Sequence, residues 1–215
     1  MGMAISSKQA QSACKSIVEA LNSTFGDDDL VAEIRNKTGG KKKHAYVFVN
    51  TPPGIWRKVA KWLKKNQGID YCSMITGIHW PEKEYHWQVV VHLMRMGVRN
   101  PGVDPIIINA SKLRGDEVPV EIEVSMTLPP SREPSVPSVA DIWVGADWNE
   151  KETWDLLGIE FDGHEGMRRV LLPHDTPTGY HPLQKQHKLR YHDFNEMYDD
   201  PQGFGRKPAD IGRVK

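Results

Sequence analysis

Apolar and polar positions recur along this chain with two different periods, and the switches between them mark out its elements. Ala10, Ala13, Cys14, Ile17, Val18 and Leu21 fall at helical spacing, which predicts an amphipathic helix capped by Ser6 or Ser7 and ended by Gly26. Strand patterns follow at Leu30 to Ile34 and at His44 to Val49, where Tyr46 and Phe48 oppose Val47 and Val49. Between them, Thr38 to Lys43 reads as a solvated hairpin loop. Thr51 is placed as the N-cap of a second helix, with Pro52 and Pro53 in its first turn. Ile55, Trp56, Val59, Ala60 and Leu63 form its apolar stripe, and Gly68 closes it. Tyr71 to Trp80 and Tyr85 to Leu93, rich in aromatic and β-branched residues, read as a hairpin joined through Pro81 to Glu84. Arg95 to Pro119 is irregular apart from a short apolar run, Ile106 to Ile108. Val120 to Leu128 alternates strictly and predicts a half-buried strand.

The texture changes at Pro129. Pro129, Pro130, Pro134 and Pro137 stiffen a connector. Asp147 is placed as the opening of a short helix, with Glu150 completing a capping-box analogue, Trp148, Leu156 and Leu157 on its apolar side and Gly158 as its stop. Beyond Leu172 periodicity almost vanishes, and the last stretch reads as an arm ordered on another protein or not at all. The expected fold is α+β, a mixed or antiparallel sheet with helices on one face, plus an extended C-terminal arm. The expected divisions are a core over 1–128, a connector over 129–172 and an arm over 173–215.

Composition narrows the function classes. Lys plus Arg is 28 and Asp plus Glu is 28, so there is no basic excess of the kind nucleic-acid binders carry. A net charge of zero gives up self-repulsion, which suits a subunit inside an assembly. The two cysteines, Cys14 and Cys72, form no CxxC pair, and no iron–sulfur or cysteine-zinc site is expected in this chain. The start lacks the apolar core of a signal peptide, and no stretch reaches the roughly 20 apolar residues of a membrane span.

Candidate chemistry is sparse. His164, His174, His181, His187 and His192 have loop spacings, not the tight spacing of a helical metal motif. Glu150, Glu152 and Asp155 share one helix, where carboxylates serve acid–base chemistry or pair with cations such as Arg168 and Arg169; the pairing is the favoured reading. Ser138 has no GxSxG context, Cys72 has no nucleophile motif, and neither GxGxxG nor a Walker loop occurs. Trp143, Trp148 and Trp154 cluster beside the arm, and at least one is expected at an interface. The residues alone leave open an enzyme built on the Glu/His-rich half and a stand-alone binding module.

The stretch VPSVADIWVGADWNEKETWDLLGIEFDGHEGMRRVLL, from Val136 to Leu172, carries a more specific signal. It resembles the signature of the 30 kDa, C-type family of proton-pumping NADH:quinone oxidoreductase (respiratory complex I), through Pro137, Ser138, Val139, Ala146, Trp148, Glu150, Glu152, Asp155, Gly158, Ile159, Phe161, Gly163, His164, Arg168 and Arg169. Gly179-Tyr180-His181-Pro182-Leu183 is similar to the family's Gly-His-Pro-Leu segment. Lys151 stands where the family usually has Arg, and Glu165-Gly166-Met167 replaces a Pro-x-Leu. The resemblance implies a structural subunit with no cofactor and no catalytic residue of its own, packed against a D-type partner (49 kDa, hydrogenase large subunit-like). Iron–sulfur clusters, and a flavin or NiFe centre, would belong to partner subunits, with antiporter-like membrane subunits further off. The chain would lie peripherally on the cytoplasmic side of the membrane. The same subunit type occurs in F420H2 dehydrogenases, ferredoxin-linked complexes and energy-converting hydrogenases. The implied interface residues are Trp148, Glu150, Glu152, Asp155, Gly158, Phe161, His164, Arg168, Arg169, His181, Pro182 and Leu183. Within them, the three carboxylates would meet Arg168 and Arg169, internally or across the interface, and His164 would fix the turn after Phe161 through ring hydrogen bonds.

Overall fold

The computed structural model describes residues 7–39, 42–96 and 118–187. The run Ile106 to Ile108 and His192 lie outside the described residues. The chain divides into a compact unit, Met1–Gln184, and a second unit, Lys185–Lys215; every element named here belongs to the first.

Helix α1 (Ser7–Phe25) precedes the antiparallel hairpin of β1 (Val31–Gly39) and β2 (Lys42–Asn50). The strands run further into the expected loop than the alternation shows, because their ladder continues to Gly39 opposite Lys42. Helix α2 (Pro53–Gln67) then crosses to β3 (Tyr71–His79), β4 (Trp87–Arg95) and β5 (Val120–Leu128). The sheet order is β1-β2-β5-β4-β3, with β2 and β5 parallel and the other neighbours antiparallel. It is the mixed sheet of the expected α+β fold.

Thr51 is not the cap of α2. Its amide donates to Ser125 O (3.1 Å), continuing the contact between β2 and β5, so the cap position passes to Pro52 in extended conformation. Gly68 ends α2 at φ +64 as expected, with its amide on Leu63 O. The buried face of α2 carries Trp56, Val59, Ala60 and Leu63.

Register shows that one sheet face takes all the helices. Val47 pairs with Ile122, Ile122 with Leu93, and Leu93 with Cys72; all are buried, together with Cys14, Ile17 and Leu21 of α1 and Leu63 of α2. Burial of this one cluster is the main driving force for the fold. On the opposite face Arg35 lies over the Phe48 ring at 3.3 Å, and Lys37 pairs with Glu121 at 2.5 Å.

Two short parallel strands, β6 (Ser135–Pro137) and β7 (Glu160–Asp162), flank helix α3 (Val144–Leu157). Their bonds, with Ser138 N on Asp162 O (2.9 Å) and Glu160 N on Pro134 O (2.8 Å), fasten the two ends of this segment together. Helix α3 lies close on β3 because two glycines permit it. A Cβ on Gly145 would stand 2.7 Å from Cys72 O, and one on Gly77 would stand 2.6 Å from Ile159 Cδ1.

Candidate functional site

Helix α3 inverts the usual arrangement of a surface helix. Its buried residues are Ala146, Glu150, Lys151, Thr153, Asp155 and Leu157, whereas Val144 is 92% and Trp148 50% exposed. It also begins at Val144, with Trp143 in the cap position and no side-chain cap. Asp147 therefore does not open the helix, and Glu150 does not close a capping box. Apolar residues facing outward removed the periodicity from which the start was read.

Glu150 is fully buried. Its carboxylate accepts the Ser138 hydroxyl (2.6 Å) and the Val139 amide (2.8 Å). Burial pushes its pKa up from 4.5, against the lowering effect of these bonds. The neighbouring Cys72 thiol is pushed up to about 12 by burial and then by Glu150.

Asp155, also fully buried, accepts the amides of Val170, Leu171 and Leu172 at 2.8–3.0 Å and Arg169 Nη1 at 2.7 Å. Burial alone would raise its pKa, but the amides of Leu172 and Leu171, then Arg169 and the Val170 amide, outweigh burial and hold it below 3.8. Arg169 Nη2 also reaches Pro177 O (3.0 Å) and Tyr180 O (3.3 Å).

Within the chain, among the described residues, Asp155–Arg169 is the one expected carboxylate–arginine contact that forms. Glu150 turns inward to Ser138, and Glu152 accepts the Trp148 indole N–H at 2.5 Å. Arg168 is exposed and acts on Asp147 through charge. The His164 side chain is 1% exposed, with Nε2 3.2 Å from Asp147 Oδ1 and Nδ1 accepting the Gly166 amide at 3.1 Å. Its own amide bonds Phe161 O (3.1 Å), so the expected role in this turn has ring bonds and a backbone bond behind it. Phe161 is buried.

The segment from Pro173 to Gln184, expected as the start of the arm, returns within the compact unit to the end of α3. A helix leaves its last four carbonyls without helical partners. Here Trp154 O takes the Gly158 amide (2.7 Å), Asp155 O takes His181 Nδ1–H (2.9 Å), Leu156 O takes the Leu183 amide (3.0 Å) and Leu157 O takes Gln184 Nε2 (2.7 Å). Gly158 serves twice, at φ +76 and as the only residue with room, since a Cβ there would stand 2.7 Å from His181 Cδ2. Pro182 is half-buried and Leu183 is 52% exposed. A cleft of about 510 Å³ opens beside this strap, with Arg132 and Arg169 balanced by Glu133 and Glu160 around the Trp154 ring.

Sequence reasoning missed Ser138 as the partner of Glu150, and Gln184 as a cap. Ser138 stands in the quoted motif and is the nearest available signal; Gln184 has none. Asp147 and Lys151, bonded at 2.7 Å, complete the surroundings of His164. Among the described residues no three His, Cys, Asp or Glu side chains converge as metal ligands would.

The fold and this site define an α+β domain that folds two signature carboxylates, Glu150 and Asp155, inward and presents apolar side chains outward from one helix. The family model described as "Respiratory-chain NADH dehydrogenase, 30 Kd subunit" matches residues 49–193, and the chain belongs to that family. It is 31% identical over 176 residues to the C-subunit of NADH-quinone oxidoreductase of Agrobacterium fabrum, covering 78% of this chain and 72% of the relative. The corresponding C-subunit of Chloroherpeton thalassium is 30% identical over 147 residues, 66% of this chain. This chain spans about half that relative's length (51%). A C/D-subunit of NADH-quinone oxidoreductase of Gluconacetobacter diazotrophicus is 54% identical over 61 residues, 28% of this chain and 10% of the relative. A chain from the structure of the membrane-bound sulfane sulfur reductase, an archaeal respiratory membrane complex, shares the fold with TM-score 0.59 and 18% identity, covering 90% of this chain and 96% of that one.

Proposed function

We propose that this chain is a cofactor-free structural subunit, of the 30 kDa C-type, in a complex I-like membrane oxidoreductase, and that it packs against a D-type partner. The observation that carries the reading is the C/D relative, in which the stretch matching this chain at 54% identity belongs to one polypeptide named for both subunits. The exposed apolar side chains Val144, Trp148, Leu171, Tyr180 and Leu183 support it, since a set of this kind on one motif marks a protein contact. Among the described residues no helix is long and apolar enough to cross a membrane, so membrane attachment would come through partners. Flavin, iron–sulfur or NiFe chemistry would lie in those partners. The archaeal neighbour favours a second reading on fold alone, the same subunit type in a complex with a different electron donor.

The test is affinity capture of the tagged full chain from its native membranes in mild detergent, with mass spectrometry and iron analysis. Recovery of a D-type large subunit with iron–sulfur proteins supports the reading, and the donor-side proteins choose between the two complexes. Recovery of the chain alone refutes both.

A further inference from the structure

His164 has a hydrogen-bonding arrangement with a built-in conflict. Nδ1 accepts the Gly166 amide, so the ring proton of this arrangement sits on Nε2. That Nε2–H faces Asp147 Oδ1 (3.2 Å), Asp147 O (3.4 Å) and Glu150 Oε2 (4.0 Å). The charged and titratable groups around the ring are Asp147, Glu150 and Lys151 of α3 and Arg168 beyond the turn, and Glu150 in turn raises the Cys72 thiol of β3. A second ring proton has only Nδ1 to go to, and there it meets a donor, the Gly166 N–H.

We propose that His164 is a proton-operated latch. Uptake of a solvent proton at Nδ1 removes the acceptor that holds the Gly166 amide and frees the turn from Gly163 to Gly166, while Nε2–H stays on Asp147. The turn is built to yield. Gly163 already occupies φ +84, and a Cβ on it would meet nothing within 4 Å. Gly166 is exposed, and a Cβ on it would meet Lys151 Nζ alone, at 3.8 Å. The segment immediately after the turn leads into the Arg169–Leu172 stretch held by Asp155, so the latch governs the link between Glu150 and Asp155, not either clamp. The inference concerns the chain itself and does not rest on the partner proposed above.

The test is amide exchange of Gly166 in the full chain, corrected for the intrinsic pH dependence of exchange, over the range of about pH 5 to 8 in which imidazole ordinarily changes charge. Wild type loses about tenfold of its Gly166 protection on acidification, the scale of one hydrogen bond. His164→Asn places an amide oxygen where Nδ1 stands and keeps protection at every pH. His164→Gln keeps a donor toward Asp147 but no acceptor for Gly166, and is unprotected throughout. Should a variant not fold, ¹⁵N spectra of wild type decide: Nδ1 of His164 and the Gly166 amide shift together. Wild-type protection that ignores pH, an asparagine variant that responds as wild type does, or a ring that titrates without moving Gly166 each overturns the latch.

Discussion

Asp155 shows how far a single buried carboxylate can organise a chain. It gathers three successive amides and one guanidinium from a segment with no regular structure of its own. Removing one side of such a buried pair costs about 3–5 kcal/mol, and Asp155→Asn is expected to lose stability on that scale in denaturant titrations at neutral pH. The dependence on pH has a definite sign. A carboxyl held below 3.8 in the folded chain contributes stability above that ordinary value, and the contribution is lost as the pH falls through the lower folded value. The gap between wild type and Asp155→Asn therefore narrows on acidification; a gap that widened would contradict the assignment. Gly158 makes a second point at this scale. Its left-handed backbone alone costs a substituted alanine about 1–2 kcal/mol, and the new Cβ would also press on His181. Gly158→Ala should lose more than the backbone penalty, read as a shift of the unfolding midpoint together with a changed His181 resonance.

The element that separates sequence from structure is α3. Strand β5 was legible to its ends, Val120–Leu128, because one face meets helices and the other water, and the alternation records both. The stops at Gly68 and Gly158 were legible because a left-handed residue after a helix favours glycine. The start of α3 was not, because Glu150 and Asp155 occupy the inner face and Val144 the outer one, so periodicity pointed the wrong way. The same helix yields a prediction against propensity. Gly145 is exposed near the helix start, and alanine ordinarily gains up to about 1 kcal/mol over glycine in a helix. Here the Cβ would meet the Cys72 carbonyl, which is backbone and cannot rotate away. Gly145→Ala is expected to destabilise the chain, and by more than Gly77→Ala, whose contacts are the ends of flexible side chains. Parallel denaturation of the two variants checks the order.

At the scale of the whole molecule the two sheet faces have different tasks. One is filled by helices and carries the core; the other holds cation–aromatic and ion pairs such as Arg35–Phe48 and Lys37–Glu121. Of the large apolar residues left outside, Val144 and Trp148 lie on α3 and Tyr180 and Leu183 on the strap that caps it, while Val31, Tyr71, Met74, Met96 and Leu171 lie elsewhere. Val144→Asp puts a carboxylate in the first turn of α3, where the helix dipole favours it. The variant is expected to melt as wild type does, while recovering less of the D-type partner from membranes; undiminished recovery would move the interface elsewhere.

The charged inner face of α3 also bears on the order in which the chain folds. Leucine and valine faces find one another early, since apolar burial needs no particular partner atom. Glu150 and Asp155 gain nothing from a loose collapse and stay hydrated until their donors are in place. Those donors lie on both sides of the helix, at Ser138 and Val139 before it and from Arg169 to Leu172 after it, while the strap supplies the caps for the last carbonyls. On a ribosome the sheet with α1 and α2 has its sequence complete by Leu128, whereas α3 waits for the strap. The helix that carries the family's signature is thus expected to seat last, its amides gaining exchange protection after those of β5 in a refolding experiment.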